Sequence, residues 1–310
     1  MKNLFFILFF INFISSQVFT DISFLGSRSI GMAGSMVANP KGEVSVFYNP
    51  AGLTKSKELS FSCGYNNLYN LNFINHNYFS IQLPQSNFGQ NRFTLALSYQ
   101  NLQTSYTDNS LEFGLYNGDL SRESVFSVSQ GIDLLNDINS SLSIGYNLNY
   151  FLFYQAPSAG PSGGGLNGIP SGDSQTFSLD IGLHSSLRNK ISFGAYIKNI
   201  TSSRLGKGSS LTFLPRRLNV GIGYNPYPDL STNFSLDRFL DDKRSSFRFG
   251  FEYLVSKYFE IRSGIQMSEN NNRFGLGFSI YLPYLDISYG VLTHPILDNI
   301  NTLEIKVHFD

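Results

Sequence analysis

Phe247-Arg248-Phe249-Gly250-Phe251-Glu252-Tyr253 alternates, residue by residue, between an aromatic ring and a small or charged side chain. Successive side chains of a β-strand point to opposite faces, so this stretch has one wholly aromatic face and one face of Arg, Gly and Glu. The period of two recurs along the chain. Leu59, Phe61, Cys63 and Tyr65 alternate with Ser60, Ser62 and Gly64; Phe93, Leu95, Leu97 and Tyr99 alternate with Thr94, Ala96 and Ser98. The runs from Phe177, Phe274 and Leu303 read the same way. Beyond the first turns, the 3.6-residue period of an amphipathic helix is almost absent.

Extending these runs gives fourteen strands, at 58–65, 77–84, 92–102, 121–130, 141–153, 175–185, 190–199, 216–224, 230–237, 246–255, 259–266, 273–281, 285–291 and 302–309. The connections alternate in length. Those at 66–76, 103–120, 154–174, 200–215, 238–245, 267–272 and 292–301 are long, and those between them are shorter. Long loops at one end and short turns at the other are the pattern of an up-and-down transmembrane barrel. A soluble sandwich also alternates, but its strands bury one shared core. Composition favours lipid. Only 14% of the 310 residues are charged, where a soluble domain carries about 25%. There are 29 Phe and 18 Tyr, as aromatic girdles require, and charges nearly avoid the apolar faces. The last strand reaches Phe309, similar to the terminal aromatic strand by which outer-membrane proteins are recognised for assembly, although Asp310 follows it. The expected fold is therefore all-β: a 14-stranded antiparallel transmembrane β-barrel over 58–310. Strands of about 10 residues tilted near 40° cover the ~25 Å apolar band. Fourteen of them enclose a lumen about 28 Å across between backbones, too wide for side chains alone to fill.

Met1-Lys2-Asn3, the apolar run Leu4–Ile14 and the small pair Ser15-Ser16 read as a signal peptide over 1–16, cut near Ser16/Gln17. That address implies an integral protein of the bacterial outer membrane, with lipid as a partner. Equal numbers of basic and acidic residues, 22 each, argue against nucleic acid. A single cysteine, Cys63, excludes a disulfide framework.

Residues 17–57 precede the first strand. They carry Ser27-Arg28-Ser29-Ile30-Gly31-Met32-Ala33-Gly34 and, after a spacer, Phe47-Tyr48-Asn49-Pro50-Ala51-Gly52-Leu53. Small residues permit close backbone approach, and Asn49 followed by Pro50 is a helix-start pair. These two motifs resemble the N-terminal region of FadL-like outer-membrane proteins, and more closely that of the PorV/PorQ family of Bacteroidetes-type bacteria. The resemblance implies that residues 17–57 sit in the lumen as a hatch, with Arg28, Gly31, Gly34, Asn49, Pro50, Ala51 and Gly52 as its motif. It also implies one of two roles. The first is accessory work, as scaffold or shuttle, beside type IX secretion components or cargo. The alternative is passage of hydrophobic small molecules.

No catalytic constellation emerges. His76, His184, His294 and His308 lack ligand spacing, so no metal or cofactor is expected, and the chain does not read as an enzyme. Gly160-Pro161-Ser162-Gly163-Gly164 matches G-x-S-x-G only in a Gly/Pro/Ser-rich loop, without the strand and helix a nucleophile elbow needs. Charged residues fall on the inward parity of the strands, and Arg248, Glu252 and Arg262 are expected to touch the hatch. The long loops are unexpectedly apolar, and Leu68, Tyr69, Phe73, Phe113, Tyr116 and Phe213 are expected to form an outer binding surface.

Overall fold

A computed structural model describes residues 24–88, 91–108, 116–157, 170–206, 211–242, 244–269 and 271–309. The expected leader, residues 17–23, the Gly160–Gly164 stretch and Phe113 lie outside the described residues, as does the side chain of Tyr116. The fourteen barrel strands are β1 Leu59–Asn67, β2 Ile74–Gln82, β3 Asn91–Asp108, β4 Tyr116–Asn136, β5 Ser140–Gln155, β6 Gly172–Leu187 and β7 Ile191–Lys198. They continue as β8 Arg217–Tyr227, β9 Leu230–Phe239, β10 Ser245–Ser256, β11 Phe259–Ser268, β12 Arg273–Tyr281, β13 Leu285–Leu292 and β14 Ile300–Phe309. Each pairs antiparallel with the next in sequence. β1 pairs with β14 from Leu59↔Phe309 to Asn67↔Asn301, so the sheet closes and has no free edge. Three short pieces stand beside the ring: Ser86–Phe88 on the start of β3, and Arg204–Leu205 paired with Thr212–Phe213.

The sidedness follows the alternation. On β10, Phe247, Phe249 and Tyr253 are 48%, 42% and 42% exposed, whereas Arg248 and Glu252 are each 3% exposed. A continuous greasy exterior around polar, buried inner positions is matched to lipid rather than to water. Tyr227, Tyr258 and Tyr284, near or in the turns at the short-turn end, are exposed where an interfacial girdle belongs. The three-residue connection between β6 and β7 places Arg188 and Asn189 both at φ 52°, the left-handed pair of a tight turn closed by Lys190 N donating to the Leu187 carbonyl at 3.0 Å.

Most strands run beyond the limits read from sequence, β3 and β4 furthest. β3 continues from 102 to Asp108, β4 covers Tyr116–Asn136 rather than 121–130, and β5 and β6 also lengthen. Added stretches such as Gln103-Thr104-Ser105 are polar on both faces, so hydrophobic alternation gives no signal there.

The segment before β1 forms a short helix, α1 Ser27–Gly31, and two 3-10 turns, Glu43–Phe47 and Pro50–Lys55. α1 packs on β11 to β14, Glu43–Phe47 on β1 to β3, and Pro50–Lys55 on β3 to β6. The segment thus touches walls on several sides of the ring, and from Phe24 to Thr54 every residue except Lys41 is buried or half-buried.

Candidate functional site

One carboxylate holds the first half of this segment. Arg28 of α1 donates Nε to Oε2 and Nη2 to Oε1 of Glu252 on β10, both at 2.7 Å. That fork-to-fork geometry is the strong form of a charge pair. Asn39 Nδ2 and Lys41 Nζ reach the same Oε1 at 3.2 and 3.1 Å. Glu304 of β14 accepts from the backbone N–H and hydroxyl of Ser27 at 2.7 and 3.0 Å, satisfying an open donor at the start of α1. In the opposite sense, Glu43 of the segment accepts from Ser60 Oγ of β1 at 2.8 Å and lies 3.3 Å from Lys306 Nζ of β14.

The second half is held by shape. Asn49 Oδ1 accepts from Ala51 N at 3.2 Å and so caps the turn that Pro50 begins. Its Nδ2 donates to the carbonyls of Val37 and of Leu183 on β6, both at 2.9 Å. Behind Asn49-Pro50-Ala51 the wall carries no side chains, because Gly131, Gly145 and Gly182 stand in register on β4, β5 and β6. A Cβ on Gly145 would lie 2.4 Å from Ala51 N, and one on Gly182 would lie 2.2 Å from Asn49 Oδ1. Gly250, Gly264 and Gly275 form a second such row on β10 to β12, where a Cβ on Gly264 would lie 2.3 Å from the carbonyl carbon of Met32. The inner wall is therefore stripped along two rows to accept backbone against backbone. The sequence signal for this is glycine at the inward parity of consecutive strands, whose meaning depends on the register between them.

The motif glycines divide between wall and segment. Gly31 abuts Gly277 of β12, and Gly52 faces Pro40. Gly34 combines φ 81° with the ring of Phe24 where its Cβ would be, a position no other residue fits. Tyr48 accepts from Leu25 N at 2.6 Å and donates to the Leu25 carbonyl. Burial pushes its phenol above the usual range, which keeps the donating proton in place.

Of the expected lumen residues, Glu252 meets the segment directly. Arg248 pairs with Asp237, lies 4.9 Å from the centre of the Phe24 ring, and reaches the Gly34 carbonyl at 3.4 Å. The Arg262 guanidinium turns to Glu260 (2.6 Å), Ser279 (2.6 Å) and Tyr281 (3.2 Å), all on the barrel.

The expected outer apolar surface divides. Leu68 is buried with Phe24, Leu102, Leu292 and Ile300, and Tyr69 packs against that cluster. Leu205 and Leu214 are likewise buried, against Val125 and Phe151. These side chains fold inward because the barrel mouth is where a loop can remove them from water. Phe73 and Phe213 stay outside at 47% and 50% exposure, with the Arg204 guanidinium 5.5 Å from the centre of the Phe213 ring.

Between the long loops and Phe24 lies a cavity of about 420 Å³. Phe24, Leu68, Tyr69, Leu102, Phe239 and Ile300 supply its apolar lining, and its polar side includes Arg217, Asp237, Arg248 and Arg273. Concave, mostly apolar sites with a few convergent polar groups bind small molecules.

Neither a protein-family model nor a curated protein matches this sequence. Among solved structures, the Pseudomonas putida toluene transporter TodX aligns with a TM-score of 0.60 at 12% identity, over 92% of this chain and 97% of that one. A Pseudomonas aeruginosa FadL homologue gives 0.59 at 9% identity, over 92% and 98%. A TodX deltaS2S3 mutant, described as a monoaromatic hydrocarbon channel, gives 0.59 at 12% identity, over 92% and 97%. At such identities the likeness is one of fold: this chain is a closed 14-stranded antiparallel barrel, similar in fold to these solved structures.

Proposed function

We propose that this chain is an outer-membrane barrel that takes up hydrophobic small molecules at its long-loop end and passes them inward when residues 24–57 yield as a hatch. It works by binding and gating, without a catalytic step, after a leader has been removed near Ser16/Gln17. The observation that carries this reading is the cavity itself. It is apolar on one side, opens toward the loops, and has Phe24 of the N-terminal segment in its lining. The fold shared with TodX, described as a toluene transporter, supports the same reading.

Uptake by cells tests it. Cells carrying the chain should accumulate radiolabelled hydrophobic compounds, toluene and the anion 4-phenylbutyrate among them, severalfold faster than cells without it. Leu102→Trp, which fills the cavity, should remove the gain. Equal uptake with and without the chain contradicts the proposal.

A second reading, an accessory barrel of PorV/PorQ type in type IX secretion, draws support from apolar side chains left exposed at the long-loop end. Ile296 and Phe213 are 87% and 50% exposed. Purification from a native outer membrane separates the two. A secretion component retained without bound apolar ligand favours the second reading, and bound ligand without a protein partner favours the first.

A further inference from the structure

We infer that the cavity beside Phe24 takes a compact organic anion, a carboxylate carried on an aromatic or alicyclic body. This rests on the transport reading above and names the substrate class for the same site.

The charge around the cavity is not balanced. Arg217, Arg244, Arg248 and Arg273 line it, against Asp237 and Glu269: four guanidinium groups to two carboxylates. Asp237 is shared by two of the four, lying 2.7 Å from Arg217 and also paired with Arg248. Arg244 pairs with Asp242, but both side chains are 47% exposed, where solvent screens such a pair. Arg273 donates to Asn271 Oδ1 at 3.3 Å and has no carboxylate partner among the described residues. Arg248 is 3% exposed, yet its Nε donor has no hydrogen-bond partner. Buried donors left open in a partly apolar site are costly unless a ligand meets them.

The apolar part of the lining sets the rest of the ligand. Phe24, Tyr69 and Phe239 offer ring faces, and Arg244 and Arg217 already lie 4.5 and 5.2 Å from the centre of the Phe239 ring. A flat apolar body can lie among these rings while its carboxylate meets the guanidinium side, the arrangement in which Arg binds carboxylate best. A volume of about 420 Å³ is at the lower end for small-molecule sites and suits a ring with a short arm. A neutral hydrocarbon would leave the excess positive charge unanswered.

Equilibrium dialysis of the purified full chain in detergent, with radiolabelled 4-phenylbutyrate and its neutral amide, tests the assignment. The acid should bind about tenfold tighter than the amide, the size of one charge-assisted contact. Arg273→Gln, at the start of β12, should bring the acid-to-amide ratio toward one, and Arg273→Lys should keep most of it. This rim variant carries the test even if Arg248→Gln does not fold. Equal binding of acid and amide to the wild-type chain overturns the anion assignment and leaves the transport reading standing. Tighter binding of palmitate than of 4-phenylbutyrate overturns compactness. If neither small compound nor palmitate binds, the transport reading falls and takes this inference with it.

Discussion

Replacing Gly194 by valine should drive the N-terminal segment out of the barrel while leaving the barrel folded. Gly194 sits on β7, opposite His184 of β6 and Gly221 of β8. A Cβ there would stand 1.9 Å from the Val37 carbonyl oxygen and 2.4 Å from its carbon. Both are backbone atoms, so no rotamer change relieves the clash, and either the wall or the segment must move. The wall has fourteen strands of hydrogen bonds to resist movement, and valine is a favoured strand residue. The segment has less. Overpacking of this kind costs ~1–3 kcal/mol or more, which shifts a docked–undocked ratio by about ten- to hundredfold. In proteoliposomes, swelling in a small sugar should accelerate by a similar factor, while the purified variant keeps the wild-type far-UV spectrum. Unchanged swelling with a folded barrel would mean that the segment is not what closes the lumen.

Glu252→Ala should release one half of the segment and not the other. Its carboxylate holds Arg28 bidentately and also receives Asn39 and Lys41. The Arg28 and Glu252 side chains are 11% and 4% exposed, so the variant leaves a buried cation without its counter-charge, a loss of about 3–5 kcal/mol. Lys41 adds little, because its side chain is 54% exposed. Hydrogen exchange of amides from Arg28 to Gly42 should therefore speed up by several orders of magnitude. Residues 50–55 should change little, since Asn49 and the glycine row of β4 to β6 hold them independently of Glu252. Removing Arg28 as well should recover part of the loss, as expected for coupled charges. Uniform acceleration across both halves would contradict the division of labour.

The contrast between these two sites shows what could be read from residues alone. The outward-facing Phe and Tyr of β10 and the polar inner face repeat with period two, and fourteen strands follow from that pattern. The pattern fails where its cause fails. Past Leu102, β3 no longer faces an apolar solvent, so Thr104 to Asp108 carry no alternation although they pair with β4. A register shift between Thr104 and Ser105 also breaks the parity, which residue identity does not announce. Parity puts Arg262 on the inner face, but a face is not a partner: Glu260 lies two residues away on the same face and takes the guanidinium. Loops have no parity at all. Leu68 therefore reads as outward surface, when the barrel mouth offers it a place to be buried. The glycine rows were visible as letters, but their meaning needed the register that sets Gly131, Gly145 and Gly182 side by side.

Single-channel recording of the wild-type chain in a planar bilayer tests the central claim most directly. With residues 24–55 seated against the glycine rows, the chain should insert with a conductance far below that of an open pore of fourteen strands, and opening should be brief and rare. A steady, open-pore conductance from the unaltered chain would contradict the account, because a segment held by Glu252, Glu304 and Asn49 leaves no such path.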